Sequence, residues 1–80
     1  MLVNSILRVF GREYFRFLTS EEEDIYLVGR IDALRDLIDT IGLEDEASNI
    51  ITKISLTVKH EGSFESKKIL VDSWLNDNYY

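Results

Sequence analysis

The chain contains no cysteine and no proline. Without cysteine it has no disulfide and no thiolate ligand for zinc, so noncovalent packing alone must hold it together. The absence of proline fits a compact design with short connections. Histidine is nearly absent as well: His60 is the single imidazole. No apolar run approaches the ~18 residues needed to cross a membrane. Met1–Ser5 carries no basic leader and no signal-type cleavage site, which predicts a soluble cytoplasmic protein. The lack of cysteine agrees with a reducing compartment. Cations are also scarce, nine against fifteen acids, for a net charge of −6. Phosphate contacts supply most nucleic-acid affinity, so this balance disfavours bulk binding to DNA or RNA.

What is present suits one small folded domain, residues 1–80, with 45% hydrophobic residues. A chain of this length buries only roughly 60% of its unfolded surface. A thin core without a covalent staple favours completion across an interface, so a homodimer or a bound protein partner is expected.

Charge is unevenly spread. Residues 1–19 hold Arg8, Arg12 and Arg16 against Glu13, giving +2. Residues 20–49 hold ten acids against Arg30 and Arg35, giving −8. Residues 50–80 balance four lysines against four acids.

The clearest periodicity lies in residues 21–41. Leu27, Ile31, Leu34, Ile38 and Ile41 recur at steps of four and three, so they share one helix face. Asp32, Asp36 and Asp39 fall on the other side. Ser20 followed by Glu23 has capping-box spacing, and Gly42 suits the residue just past the helix end. Residues 3–18 read as a second helix. Val3, Leu7, Phe10, Tyr14 and Phe17 form its apolar face, and Arg8, Arg12 and Arg16 form a row opposite. Gly11 within it costs about 1 kcal/mol relative to alanine, small beside five aligned apolar side chains.

Leu43–Asn49 reads as an acidic connection. Ile50, Thr52, Ile54, Leu56 and Val58 then alternate with Ile51, Lys53, Ser55, Thr57 and Lys59, a period of two that predicts a strand over 50–60. A strand needs a partner. Glu61-Gly62 offers a hairpin turn, and 64–71 the second strand. A competing reading makes 64–76 a helix capped by Ser63. The hairpin is preferred because it pairs the strand. The expected fold is therefore α+β: two N-terminal helices packed on a small antiparallel sheet.

Four groups of residues are candidates for function. The arginine row could meet phosphates, with Phe15 on the same side as a stacking aromatic; this is the nucleic-acid alternative. Its structural counterpart is a solvated face paired with Glu13 or the Glu21–Asp24 run. Asp32, Asp36 and Asp39, with Glu22, Glu44 and Asp45 beside them, form an acidic surface suited to a basic groove on a partner. Trp74, Tyr79 and Tyr80 form a C-terminal aromatic group of the types enriched at interfaces. His60 is a third, enzymatic alternative, but no nucleophile elbow or phosphate-cradling glycine pattern surrounds it. No metal or cofactor site is expected, because nothing supplies a cage of six or more oxygens.

The sequence thus predicts a non-enzymatic protein-binding module acting through its acidic helix face. Its size suits a regulator or inhibitor of the kind carried by phages and mobile elements, with a nucleic-acid-handling protein as a fitting partner.

Overall fold

A computed structural model describes residues 2–80 and places them in four α-helices. These are α1 (Leu2–Thr19), α2 (Ile25–Thr40), α3 (Glu44–His60) and α4 (Phe64–Asn78). No strand occurs among the described residues, so the expected antiparallel sheet over 50–60 and 64–71 is replaced by α3 and α4. The fold is an all-helical bundle, not α+β.

The physical reason lies in an apolar set dense enough to satisfy two periods. Ala47, Ile50, Ile54 and Thr57 also recur at helical spacing, and these are the four buried residues of α3. Glu44, Asp45 and Glu46 fill the first turn of α3, and Lys59 and His60 the last. Each end therefore complements the helix dipole, worth roughly 0.3–1 kcal/mol per charge near an exposed terminus. Packing of the buried face then overrides the β-propensity of isoleucine, threonine and valine. With α3 helical, no strand needs a partner, and the Ser63 cap decides α4. The Ser63 hydroxyl accepts the Ser66 N–H at 3.1 Å.

The two N-terminal helices lie where periodicity places them, with one corrected boundary, but Val3, Phe17 and Ile41 of the expected apolar faces are exposed. Ser20 does not cap α2; its hydroxyl instead bonds both the N–H and the carbonyl of Glu22. Asp24 is the cap, its Oδ1 accepting the N–H groups of Tyr26 at 3.0 Å and Leu27 at 3.1 Å. Aspartate is as good a cap as serine, and here one oxygen satisfies two orphan donors. Starting at Ile25 also leaves Glu21, Glu22 and Glu23 outside the helix rather than crowded into one turn. At the other end Gly42 adopts φ +81°, and Leu43 N–H reaches the Ile38 carbonyl at 3.0 Å. That 6→1 bond is a Schellman stop, and it requires the left-handed backbone that glycine accepts without a Cβ penalty.

The chain runs up, down, up, down. α1 and α3 form the central pair, each burying four residues, while α2 and α4 flank it with no Cα of one within 8 Å of the other. The molecule is accordingly flat, 35 × 29 × 17 Å across its Cα atoms. Leu7, Phe10 and Phe15 of α1 meet Ile38 of α2, Ala47, Ile50 and Ile54 of α3, and Val71, Leu75 and Tyr79. Thr57 is the buried polar residue, and its hydroxyl is satisfied by the Lys53 carbonyl at 2.9 Å.

Gly11 has a packing role that sequence periodicity does not show. Leu75, fully buried, lies where a side chain at position 11 would go: an ideal Cβ there would sit 2.6 Å from its Cδ2. The glycine lets α4 approach α1 closely.

Candidate functional site

The acidic surface is built on α2 and the segments flanking it. Asp32, Asp36 and Asp39 are all exposed on α2, and the whole 21–26 segment before and into it is exposed. Glu44 and Asp45 are exposed at the start of α3, just beyond the Gly42 turn. The ion pairs explain why this surface keeps its charge. Five pairs occur among the described residues: Arg12–Asp72, Arg16–Glu13, Arg30–Glu13, Arg35–Asp39 and Lys68–Asp72. They engage five cations but only the three acids Glu13, Asp39 and Asp72. Within the acidic stretch, Asp39 alone is paired among the described residues. Asp24 is occupied as the cap of α2, and Glu46 accepts a hydrogen bond from Tyr79. Glu21, Glu22, Glu23, Asp32, Asp36, Glu44 and Asp45 form no ion pair among the described residues.

The arginine row lies on the outer side of α1, and each member has a contact within the fold. Arg8 donates to the Ser5 hydroxyl at 3.2 Å, Arg12 sits 3.9 Å from Asp72, and Arg16 sits 3.4 Å from Glu13. Phe15 does not stand beside them as a free ring. It is buried, with its centroid 5.6 Å from that of Phe64 on α4. The position that looked peripheral on the α1 wheel becomes core because α4, a helix, covers it. Arg12, Arg16, Lys68 and Asp72 rim the shallow cleft above this aromatic pair.

The C-terminal aromatics divide. Tyr79 is core: it is buried, packs edge-on to Trp74 with centroids 5.7 Å apart, and donates its hydroxyl to Glu46 Oε2 at 2.8 Å. Burial first, then the bond to the Glu46 carboxylate and its charge, hold the Tyr79 phenol well above its ordinary value of 10.0. Trp74 is half-buried. Tyr80 is 92% exposed, and its carbonyl accepts from the Asn4 amide at 3.0 Å, tying the chain end to the start of α1.

His60 is the last residue of α3 and is exposed. It lines an open cleft with Lys53, Trp74 and Asp77. Among the described residues no three histidine, cysteine, aspartate or glutamate side chains converge as a metal site. No described helix is long and apolar enough to cross a membrane.

One feature was readable in the sequence but hidden by a stronger signal. α2 and its C-cap carry a second stripe, Tyr26, Arg30, Ala33, Leu37 and Ile41, at steps of four, three, four and four. All five are exposed. The inner stripe, Leu27 and Ile38 buried with Ile31 and Leu34 half-buried between them, dominates the periodicity and masks it. Beside the second stripe lies a groove of about 360 Å³ between α1 and α2, lined by Val9, Glu13, Arg30, Ala33, Leu34 and Leu37. The Arg30–Glu13 pair, 3.0 Å, closes one end. No family model matches the chain, and no match is found among curated proteins or solved structures.

Proposed function

We propose that this chain is a non-enzymatic protein-binding domain whose acidic ridge docks on a basic surface of a partner. The observation that supports this reading is the ion-pair distribution: among the described residues five cations share Glu13, Asp39 and Asp72, while Asp32, Asp36 and the flanking Glu21–Glu23, Glu44 and Asp45 form no ion pair. Exposed, unpaired carboxylates attract a basic surface over the Debye length and are not compensated from within. Asp32 and Asp36 stand on a helix anchored by Leu27 and Ile38, so the charges are held on a rigid element. The role that fits is a small regulator or inhibitor in a soluble, cytoplasmic setting, occupying a surface that a nucleic acid would otherwise hold.

The test is capture of a basic protein by the tagged chain and by its D32K/D36K/D39K variant. All three positions are exposed, so the variant keeps its helical circular dichroism. Capture falls at least tenfold in the variant and weakens steeply with added salt. Equal capture by both proteins would discard the ridge as the binding surface.

A further inference from the structure

We infer that the pocket between α1, α2 and α3 seats one arginine side chain of the basic partner, its stem on apolar walls and its guanidinium between Asp32 and a row of aromatic rings. The inference rests on the acidic ridge as the docking surface and names the group that the ridge receives.

The walls come first. Phe10, Tyr14 and Phe17, at steps of four and three on α1, line the pocket together with Val28, Ile31 and Ile51. The three rings form a row, with centroids 6.3 Å apart from Phe10 to Tyr14 and 6.1 Å apart from Tyr14 to Phe17. Phe10 is buried and Phe17 is 44% exposed, so the row runs from the core out to solvent. The face of an aromatic ring carries the negative part of its quadrupole and attracts a cation.

Charge decides the occupant. Asp32 and Arg35 are the charged residues of the lining. Arg35 is engaged within the fold, its Nε 3.4 Å from Asp39 Oδ1. Asp32 is exposed and forms no ion pair among the described residues. The open charge of the pocket is therefore a carboxylate, and Asp36, one turn further along α2, adds a second beside it. An anion is repelled here, and a purely apolar group leaves the carboxylate unanswered. The Tyr14 hydroxyl also has no hydrogen-bond partner among the described residues, yet it is not a buried orphan, so it is accessible to accept an N–H from the occupant.

Size and shape select arginine among cations. The pocket holds about 240 Å³. That is less than the roughly 300–1,000 Å³ of sites built for drug-sized ligands, and more than the ~150 Å³ that encloses a benzene ring. One long side chain suits this range. An arginine lays its methylene stem along apolar surface and keeps its head at the wet end. Its planar guanidinium stacks on a ring and offers a carboxylate two parallel N–H donors, whereas a lysine ammonium is a point charge with a tightly held hydration shell.

The test titrates the whole chain with two labelled peptides of equal length and charge, a Gly-Arg repeat and a Gly-Lys repeat, read by fluorescence anisotropy. The arginine peptide should bind about fivefold tighter, the ratio that one exposed cation–π contact supplies. It should also shift the methyl resonances of Val28, Ile31 and Ile51. Phe17→Ala, at an exposed ring, removes the preference while the lysine peptide binds as before. Val28→Trp fills the pocket from a half-buried position and does the same. Asp32→Asn weakens the arginine peptide more than Asp36→Asn, which removes an equal charge outside the pocket lining. Equal affinity for the two peptides, a preference that survives both pocket variants, equal losses for the two asparagine variants, or no binding of the arginine peptide overturns the inference. Equal peptide binding that still falls in D32K/D36K/D39K strikes the pocket and leaves the acidic ridge standing. Binding unchanged in that triple variant strikes the ridge, and the pocket with it.

Discussion

The two outer helices, α2 and α4, occupy equivalent places on either side of the α1–α3 pair, and each buries only two residues. They are held very differently. α4 is fastened along its length. Leu75 fills the space left by Gly11, Phe64 meets Phe15, Asp72 reaches Arg12, and at its end Tyr79 bonds Glu46. α2 has Leu27 and Ile38 in the core, the Arg30–Glu13 pair and its own end caps, and it turns a charged ridge and an apolar stripe outward. Both leave apolar side chains exposed, Leu37 on α2 and Ile69 and Leu70 on α4, but the acids of the proposed binding surface lie on α2 and beside it.

The largest effect should come from breaking the α4 side. Leu75→Ala removes a fully buried side chain and is expected to cost about 2–5 kcal/mol in a urea melt, as buried leucine truncations do. Gly11→Ala should also destabilise, by about 1–3 kcal/mol from overpacking, offset in part by alanine's helix propensity. In the Leu75→Ala background the same Gly11→Ala change should lose its cost, because the clash is gone. Additive costs would show that the two residues do not share that space.

The second comparison loosens α2 instead. Asp24→Ala removes the acceptor for two backbone N–H groups and should cost about 1 kcal/mol. The loss should appear as faster amide exchange in α2, with α4 protected as before. Equal acceleration in both helices would mean that the outer helices are not independently held.

The smallest effect concerns Tyr79. Its phenol is held protonated in the fold, whereas an unfolded tyrosine ionises near pH 10. Above that pH the folded state binds more protons, so this tyrosine's contribution is intact below about pH 10 and declines as pH rises further. Tyr79→Phe should lose about 1 kcal/mol at neutral pH from the missing hydrogen bond. The gap between wild type and variant should narrow above pH 10, as followed by denaturant melts at stepped pH. A constant gap would place the raised phenol outside the folding equilibrium.

These contrasts also explain which parts of the molecule were legible in the sequence. α1 and α2 were, because Leu7, Phe10, Leu27 and Ile38 sit at steps that only a helix satisfies, and Gly42 marks a stop by its own chemistry. α3 was not, because Ile50, Ile51, Ile54 and Val58 satisfy periods of two and of 3.6 together. The deciding signs were the acids of Glu44–Glu46 and the bases Lys59 and His60 at its two ends, and the acids read more simply as a connection. The error then travelled: a strand over 50–60 demanded a second strand and turned 64–71 into one, although Ser63 was already a legible cap. Of the candidate surface, the exposure of Asp32, Asp36 and Asp39 was visible in the α2 periodicity. That Asp32 and Asp36 form no ion pair among the described residues was not, because it depends on Glu13, Asp39 and Asp72 drawing the cations elsewhere. Tyr79 was misplaced for a similar reason, since its Glu46 partner lies 33 residues away in the chain.

No Cα of α2 lies within 8 Å of one of α4, and this has a consequence for how the molecule can change. The backbone of each outer helix packs on α1 and α3 and not on the other. The central pair is a relay serving two independent clients. A substitution on the outer face of α2 can therefore accumulate without reopening the fit of α4, and the buried faces can stay fixed while that outer face drifts.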